Sequence, residues 1–250
     1  MPQPKKKYDL IASIGDTCAT SIYLRRNKLQ YASYPLDWIG HDPFSGKIEF
    51  LTNHFTNFMN IEDIVPMEKP ESDEDVNCDA YRNTRTGTLI WHDFPTGVPF
   101  EKSFPEVKNK YDRRISRLYK RIEKSKNILF VWFSPRIHLK DEEIIAGQQK
   151  LAQYFAPRHI NLLIIEDDKT ATQITETHLS DTVTKITYNM FSPIPEAPVS
   201  TVLGNLASGT QIFQQYQLNT PWWFMPMLKI VRCIPHKALK KNLKRKLYNY

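Results

Sequence analysis

The stretch YDLIASIGDTCATSIYLRRNKLQYASYPLDW, residues 8–38, decides the fold of this chain. Its run LIASI predicts a short buried strand, and Gly15 permits a tight bend directly after it. The spacing of Ile22 and Leu29 then predicts a helix over residues 19–28. The chain therefore opens with a strand, a turn and a helix.

Cys18 lies in that turn, at the predicted start of the helix. Unpaired backbone N–H groups and the positive end of the helix dipole favour a thiolate over a thiol at such a position. This makes Cys18 a candidate nucleophile. The alternative is a small buried residue that closes a corner between strand and helix.

Further strands and helices alternate along the chain. NILFVWF (residues 127–133) and NLLII (161–165) are apolar enough for strands buried on both faces, and a third strand is predicted over 183–190. Helices are predicted over 107–126, 141–155 and 203–218. We therefore expect an α/β fold, a three-layer sandwich with a mostly parallel sheet.

Between about residues 31 and 105 we expect an irregular insertion that contains helical segments and a hairpin. Helical spacing runs over 48–59, and residues 81–94 predict a hairpin with its turn at 84–87. Residues 1–220 would form one α/β domain with this insertion. Ligands of such sheets bind beyond the carboxyl ends of the strands, where residues 15–18, 134–138 and 166–168 should emerge.

Charge and cysteine content indicate the cellular compartment in which the protein should work. The 250 residues carry a formal net charge of +7, and residues 229–250 hold eight basic side chains and no acidic one. Three distant cysteines indicate a reducing compartment, and neither a signal peptide nor an apolar run of spanning length is evident. We expect a cytoplasmic protein.

The segment 221–250 combines aromatic and Met residues with a basic amphipathic helix. This composition predicts a peripheral segment on an anionic membrane surface, at the inner face of the cytoplasmic membrane. The alternative is an aromatic plug on the core followed by a solvated basic tail. Nucleic acid is not an expected partner, because the charge is confined to one terminal helix without a recognised motif.

A thiol nucleophile needs a base and a group that orients the base. His92, at the end of a predicted strand, is the first candidate base, followed by His41 and His138. Asp37 is the candidate that orients His92, and Asp16 is its alternative. No metal site is expected, although the acidic residues 166–168 offer ligands for a hard cation. The sequence leaves any cofactor unknown.

Substrate binding is assigned to the turn, to one aromatic residue and to two basic residues. Adjacent arginines suit carboxylate or phosphate groups through their fork geometry. The predicted binding residues are Gly15, Asp16, Thr17, Trp38, Arg113 and Arg114. Residues 15–17 also resemble the GDS block of the SGNH hydrolases, with Thr17 at the serine position and no DxxH near the carboxyl end.

The combination SIGDTC, YLRRNKL, SYPLDWI, GTLIWHDFP and YDRRISRLYKRI resembles a bacterial family of unknown function that is described as papain-like cysteine peptidases. Its motifs fall on Gly15, Cys18, Leu24, Arg25, Pro35, Asp37, Trp38, His92 and residues 113–115, with Leu36 where Phe is usual. The resemblance covers about residues 8–134. It implies a catalytic role for Cys18 and His92 and an association with surface-polysaccharide biosynthesis.

The carboxyl-terminal IPHKALKKNLKRKL is similar to the basic ends of lipopolysaccharide and capsule glycosyltransferases. Ile234, Pro235, Lys237 and Leu239 occupy the matching positions. The leading hypothesis is a glycan-assembly enzyme that transfers or hydrolyses an acyl or related group through Cys18, with a glycan, activated sugar or acyl compound as substrate. A glycosyltransferase, a cysteine peptidase and a non-catalytic membrane-docking protein are the alternatives.

Overall fold

The computed structural model describes residues 4–40, 42–69, 77–192, 199–200 and 202–248, so His41 lies outside the described residues. The strands and helices follow in the order β1 (Lys6–Tyr8), β2 (Leu10–Ser13), α1 (Ala19–Arg26), β3 (Ile39–Gly40), α2 (Phe44–Thr52), β4 (Ile64–Met67), β5 (Cys78–Asn83), β6 (Leu89–Pro95), α3 (Phe100–Lys124), β7 (Asn127–Ser134), α4 (Asp141–Tyr154), β8 (His159–Asp167), β9 (Thr175–Ser180), β10 (Val183–Tyr188), β11 (Val199–Ser200), β12 (Gly204–Asn205), α5 (Leu206–Phe213), β13 (Tyr216–Leu218), α6 (Phe224–Cys233) and α7 (Lys237–Leu247). The expectation of a mixed α/β chain is confirmed.

The largest sheet has five strands in the order β2-β7-β8-β10-β9. The pairs β2/β7, β7/β8 and β8/β10 are parallel, whereas β9 pairs with β10 in the antiparallel direction. The four parallel strands bring their carboxyl ends to one edge. We call this edge, where residues 14–18, 134–139 and 166–168 follow their strands, the carboxyl edge.

Both faces of this sheet are covered, as the alternation along β7 shows. Phe130 and Trp132 belong to a core cluster that includes side chains of α2, α3 and α4. Val131 and Phe133 belong to a second cluster that includes side chains of α1 and α5. A strand buried on both faces has no polar side to alternate, which is why NILFVWF is a continuous apolar run.

The insertion is more regular than the sequence predicts. Its strands form a four-stranded antiparallel sheet in the order β3-β6-β5-β4, and the predicted hairpin is its β5/β6 pair. The helix expected over 48–59 is wrong in its bounds, because α2 begins at Phe44 and ends at Thr52. His54 and Phe55 have positive φ angles of 58° and 59°, which stop the helix and return the Phe55 ring onto Phe50.

Three other helix boundaries differ from expectation. Helix α1 ends at Arg26, since Lys28 has a φ of 60°. Helix α3 begins seven residues earlier than predicted, at Phe100, and contains Pro105. The helix expected over 203–218 is the shorter α5 followed by β13, which pairs in parallel with β1.

The two carboxyl-terminal helices pack against each other and against the body. Phe224, Leu228 and Leu247 form a small buried cluster, on which the Tyr31 and Tyr248 side chains pack. Among the described residues, no helix is both long and apolar enough to cross a membrane.

Candidate active site

Cys18 caps the start of α1, immediately after the turn at the carboxyl end of β2. Its carbonyl accepts a hydrogen bond from the Ile22 amide at 3.0 Å, and its side chain is a free, half-buried thiol. The first amides of a helix have no acceptor within the helix. Cys18 therefore occupies the end of the helix where backbone amides are candidate donors to an oxyanion, except the Ala19 amide, which donates to Thr17 Oγ1.

Gly15 allows α1 to pack closely over the turn. A Cβ atom at this position would lie 1.8 Å from Thr20 Oγ1 and 3.2 Å from the Phe133 carbonyl oxygen. No side chain fits in that space without moving α1 or β7. The glycine therefore fixes the path of the chain into Cys18.

Asp16 ties the same turn to the end of β7. Its buried carboxylate accepts hydrogen bonds from Ser134 Oγ at 3.3 Å and from Arg136 Nη2 at 3.2 Å. Ser134 Oγ in turn accepts hydrogen bonds from the amides of Arg136 and Ile137. These contacts bring together two of the segments that the sequence placed at the carboxyl edge.

The third segment borders an open cleft of about 580 Å³ at this edge. Buried Glu166 accepts a hydrogen bond from the Leu139 amide at 2.7 Å, and its other oxygen lies 3.4 Å from Lys185 Nζ and 3.8 Å from His138 Nδ1. The cleft is lined by His138, Glu166, Asp167, Asp168, Lys169, Lys185 and Thr187. Within the described ranges, no three His, Cys, Asp or Glu side chains are grouped to hold a metal ion.

Asp37, in the segment that follows α1, is completely buried. Its Oδ2 atom accepts hydrogen bonds from Gln30 Nε2 at 2.7 Å, the Tyr34 amide at 2.9 Å and Arg25 Nη2 at 3.2 Å. Burial raises the pKa of this carboxyl group, and the Arg25 guanidinium opposes that rise. These contacts hold residues 25–37 together, and the orientation of His92 by Asp37 stays a prediction.

His92 is an exposed residue of β6, beside the strand that follows Asp37. Strand β3 pairs with β6 through Ile39 and Ile90, whereas Asp37 ends a short 3-10 helix before β3, so this pairing does not extend to Asp37. Ser21 Oγ lies 2.9 Å from the Asp37 carbonyl oxygen and 3.3 Å from that of Cys18. The structure therefore joins the Cys18 turn to the segment of Asp37, and that segment to the strand of His92.

Comparison with known proteins identifies the family of the chain. The profile of the family described as "Putative papain-like cysteine peptidase (DUF1796)" matches residues 9–155. The chain belongs to this family. The matched range contains Cys18, Asp37, His92 and both predicted binding arginines.

An uncharacterized protein of Acanthamoeba polyphaga mimivirus is 28% identical to the chain over 135 residues. The match covers 49% of the chain and 60% of the viral protein, so it spans less than two thirds of that relative. No solved structure matches the chain. Neither the family description nor the viral relative names a bacterial source or a polysaccharide pathway.

Two further predicted binding residues of this papain-like family member are Thr17, in the turn, and Trp38, directly after Asp37. Thr17 Oγ1 accepts a hydrogen bond from the Ala19 amide at 3.3 Å, which tightens the turn. Trp38 is half-buried, and the Arg25 guanidinium lies 5.5 Å from its ring centroid. Contact of either side chain with a substrate stays a prediction.

The two adjacent arginines of α3 have different surroundings. Arg113 is exposed, whereas Arg114 is half-buried, with its guanidinium 5.0 Å from the Tyr111 ring centroid and 3.9 Å from Asp93 Oδ1. The Tyr111 hydroxyl also donates a hydrogen bond to Asp93. The fork expected from both arginines together is therefore not formed by the pair, and Arg114 alone faces inward.

A buried ion pair was missed by the sequence interpretation. Lys47 Nζ has no exposed surface and lies 3.5 Å from Asp42 Oδ2, while the other Asp42 oxygen accepts a hydrogen bond from Thr88. Burial lowers the pKa of Lys47 and raises that of Asp42. One signal was present: Lys47 falls between Phe44, Ile48 and Leu51 at the spacing of a buried helix face.

Proposed function

We propose that the protein hydrolyses or transfers an acyl group through a covalent thioester on Cys18. The Cys18 thiolate would attack the acyl carbonyl carbon and expel the leaving group, and water or a second acceptor would then release the acyl group. The observation that carries this proposal is the fixed turn, in which Gly15 and Asp16 hold a half-buried thiol at the first amides of α1.

The family description supports cysteine-based catalysis, and the sheet supports the position of the site. We infer that the mostly parallel five-stranded sheet and its two covered faces form the expected three-layer sandwich. In such folds ligands bind beyond the carboxyl ends of the strands. The open cleft at the carboxyl edge, which residues 138, 166–169, 185 and 187 line, is then our proposed binding place for part of the substrate.

His92 is our proposed general base, which takes the thiol proton and returns it to the leaving group. His138 is the second candidate, since it lies at the carboxyl edge 3.8 Å from Glu166 and two residues from Arg136. Asp37 remains the proposed orienting group for His92, acting from a segment that Arg25 and Gln30 hold in place.

A glycan or activated sugar as acyl acceptor is the finer form of the proposal. It is supported by the likeness of the basic carboxyl-terminal segment to lipopolysaccharide and capsule enzymes. The glycosyltransferase alternative would use the cleft side chains Lys169 and Lys185 for a sugar-nucleotide diphosphate. Sugar nucleotides would then raise the melting temperature of the Cys18→Ala variant as much as that of the unmodified protein.

The decisive test labels the thiol in a Cys78→Ser/Cys233→Ser background, so that Cys18 is the one cysteine left. We expect iodoacetamide to modify Cys18 at pH 7 on the order of tenfold faster than it modifies glutathione. p-Nitrophenyl acetate should leave one acetyl group on the protein, detectable by intact mass, and Cys18→Ala should abolish this adduct.

The base is identified in the same assay. His92→Asn should slow acetylation on the order of a hundredfold or more at pH 7, and His138→Asn should leave the rate unchanged. The reverse result would transfer the base role to His138. Alkylation no faster than that of glutathione, with no acetyl adduct, would overturn the thiol mechanism altogether.

A further inference from the structure

Helix α6 buries one face and exposes another that is also apolar. Phe224, Leu228 and Val231 recur at the spacing of one helix face and are buried. Ile230 follows Leu228 by two residues, which places the two side chains about 160° apart around the helix, and Ile230 is 60% exposed. The packing of α6 on the body therefore leaves an apolar face outside.

The exposed face is broad for a single short helix. Met227 is 44% exposed, Pro226 and Cys233 are exposed beside Ile230, and Trp222, which directly precedes the helix, is 89% exposed. Contiguous exposed apolar side chains of this kind mark interaction sites on soluble domains. Trp222 is the most exposed large apolar residue among the described residues.

Basic side chains surround this apolar face. Lys229 lies next to Pro226 and Cys233 on the helix circumference, and it is exposed. Helix α7 packs against α6 and contributes six of the eight basic residues of 229–250. The sequence contains no acidic residue from position 197 to the end.

We propose that this surface, formed by Trp222, Met227, Ile230 and the basic residues of α6 and α7, docks on an anionic lipid bilayer. We call it the tail surface. Charge complementarity identifies the occupant, because an acid-free basic surface fits phosphate headgroups, and an exposed Trp and aliphatic face fits the boundary with the acyl chains. A nucleic acid would engage the lysines but would leave Ile230 and Met227 in water.

The cluster of Phe224, Leu228 and Leu247 makes the tail surface part of the folded protein. Tyr31, which packs on this cluster, lies in the segment that leads to Asp37 and Trp38. Docking through the outer face of α6 would therefore hold the body and its candidate active site close to the bilayer. The proposal does not depend on the chemistry of Cys18.

The test is flotation of the full chain with phosphatidylcholine vesicles that contain or lack phosphatidylglycerol. We expect binding to the anionic vesicles only, with a decrease as salt is raised. Ile230→Glu should weaken binding at least about tenfold, and Trp222→Ala should weaken it less. Ile61→Glu is the matched control, because Ile61 is 47% exposed in the insertion, and it should have no effect.

Charge is tested by a second pair of variants with equal change in net charge. Lys240→Glu/Lys241→Glu should weaken binding at least about tenfold, whereas Lys102→Glu/Lys120→Glu on exposed positions of α3 should not. Equal loss in both double variants, equal binding to neutral vesicles, or no binding at all would overturn the proposal. Binding to a short RNA duplex that Ile230→Glu leaves intact, without vesicle binding, would assign the surface to nucleic acid instead.

Discussion

The carboxylates at the carboxyl edge of the central sheet and those buried in the insertion are stabilised in different ways. Asp16 and Glu166 both accept hydrogen bonds, from the Ser134 hydroxyl and the Leu139 amide respectively, and both also face basic side chains. In the insertion, Asp42 also accepts a hydrogen bond from a hydroxyl, that of Thr88, but its cation Lys47 is fully buried and Lys47 Nζ has no hydrogen-bond partner.

This difference indicates which of the two regions tolerates the loss of a charged side chain. At the carboxyl edge the Arg136 side chain is 55% exposed, so water can solvate the Asp16 carboxylate if that partner is lost. In the insertion Lys47 is fully buried, so loss of either charge of the pair leaves the other one buried without compensation. We therefore expect the insertion, which also carries His92, to be the more sensitive region.

Lys47→Met should have the largest effect on stability. Removing the ammonium leaves Asp42 buried without its counter-charge, which typically costs about 3–5 kcal/mol. Arg136→Met removes the half-exposed partner of Asp16, which keeps its hydrogen bond from Ser134, and should cost about 1 kcal/mol. Urea unfolding followed by circular dichroism measures both losses.

The double variant Lys47→Met/Asp42→Asn is the control for this prediction. Because it removes both charges, it should recover most of the stability that Lys47→Met loses. Equal losses from Lys47→Met and Arg136→Met would contradict the proposed difference between the two regions.

The central sheet and the insertion also differ in how far the sequence predicts their structure. Strands β7 and β8 are buried on both faces, so their continuous apolar runs were recognised and their bounds differ by only a few residues. The insertion has short strands and residues with positive φ such as His54, which no periodicity reveals. Strand β9 is mostly exposed and carries no apolar pattern, so it was missed.

The candidate site was predictable to a similar degree. The turn at Cys18 follows from local sequence, because a glycine, a strand and a helix lie next to each other in the chain. The partners of Asp16 and Asp37 come from distant or aperiodic segments, and neither Arg136 nor Gln30 was identified from the sequence. The burial of Lys47 does not follow from its residue type, because lysine is ordinarily a surface residue.

Alanine substitution of one glycine in each region compares the rigidity of the two regions, and we expect smaller losses of stability from these substitutions. Gly15→Ala places a Cβ atom 1.8 Å from Thr20 Oγ1 and should cost about 1–3 kcal/mol, because α1 must move. Gly87→Ala, in the hairpin turn of the insertion, meets open space and is strained only by a φ of 79°, at a cost of about 1 kcal/mol. Thermal unfolding ranks the two variants.

Reactivity adds a second measurement to this pair. Since Gly15 fixes the path into Cys18, Gly15→Ala should also slow alkylation of Cys18, and Gly87→Ala should not. An alkylation rate that both variants leave unchanged would show that the turn positions the thiol without help from Gly15.

The smallest effect is expected from two carboxylates, Asp63 and Asp9, whose pKa values are both lowered. The hydrogen bond from the Arg85 guanidinium lowers the pKa of Asp63 in the insertion, where Arg85 Nε lies 2.8 Å from Asp63 Oδ2. For Asp9, partial burial raises the pKa. Hydrogen bonds from the Asn219 side chain and from the amides of residues 126 and 127 lower it by more than burial raises it, so the net shift is downward.

Stability from a carboxylate with a lowered pKa is present above its unfolded value near 4 and is lost as the pH falls through the folded value. Asp63→Asn and Asp9→Asn should therefore each lower the free energy of unfolding at pH 7. Each should change it little at a pH below the folded pKa of the carboxylate that it replaces.

Salt distinguishes the two variants, because the Debye length falls to about 3 Å at 1 M salt. The Asp63→Asn effect should shrink in 1 M NaCl, and the Asp9→Asn effect, which rests on amide donors, should persist. Urea unfolding at both pH values and both salt concentrations measures this, and equal salt sensitivity of the two variants would remove the contrast between hydrogen-bonded and ion-paired carboxylates.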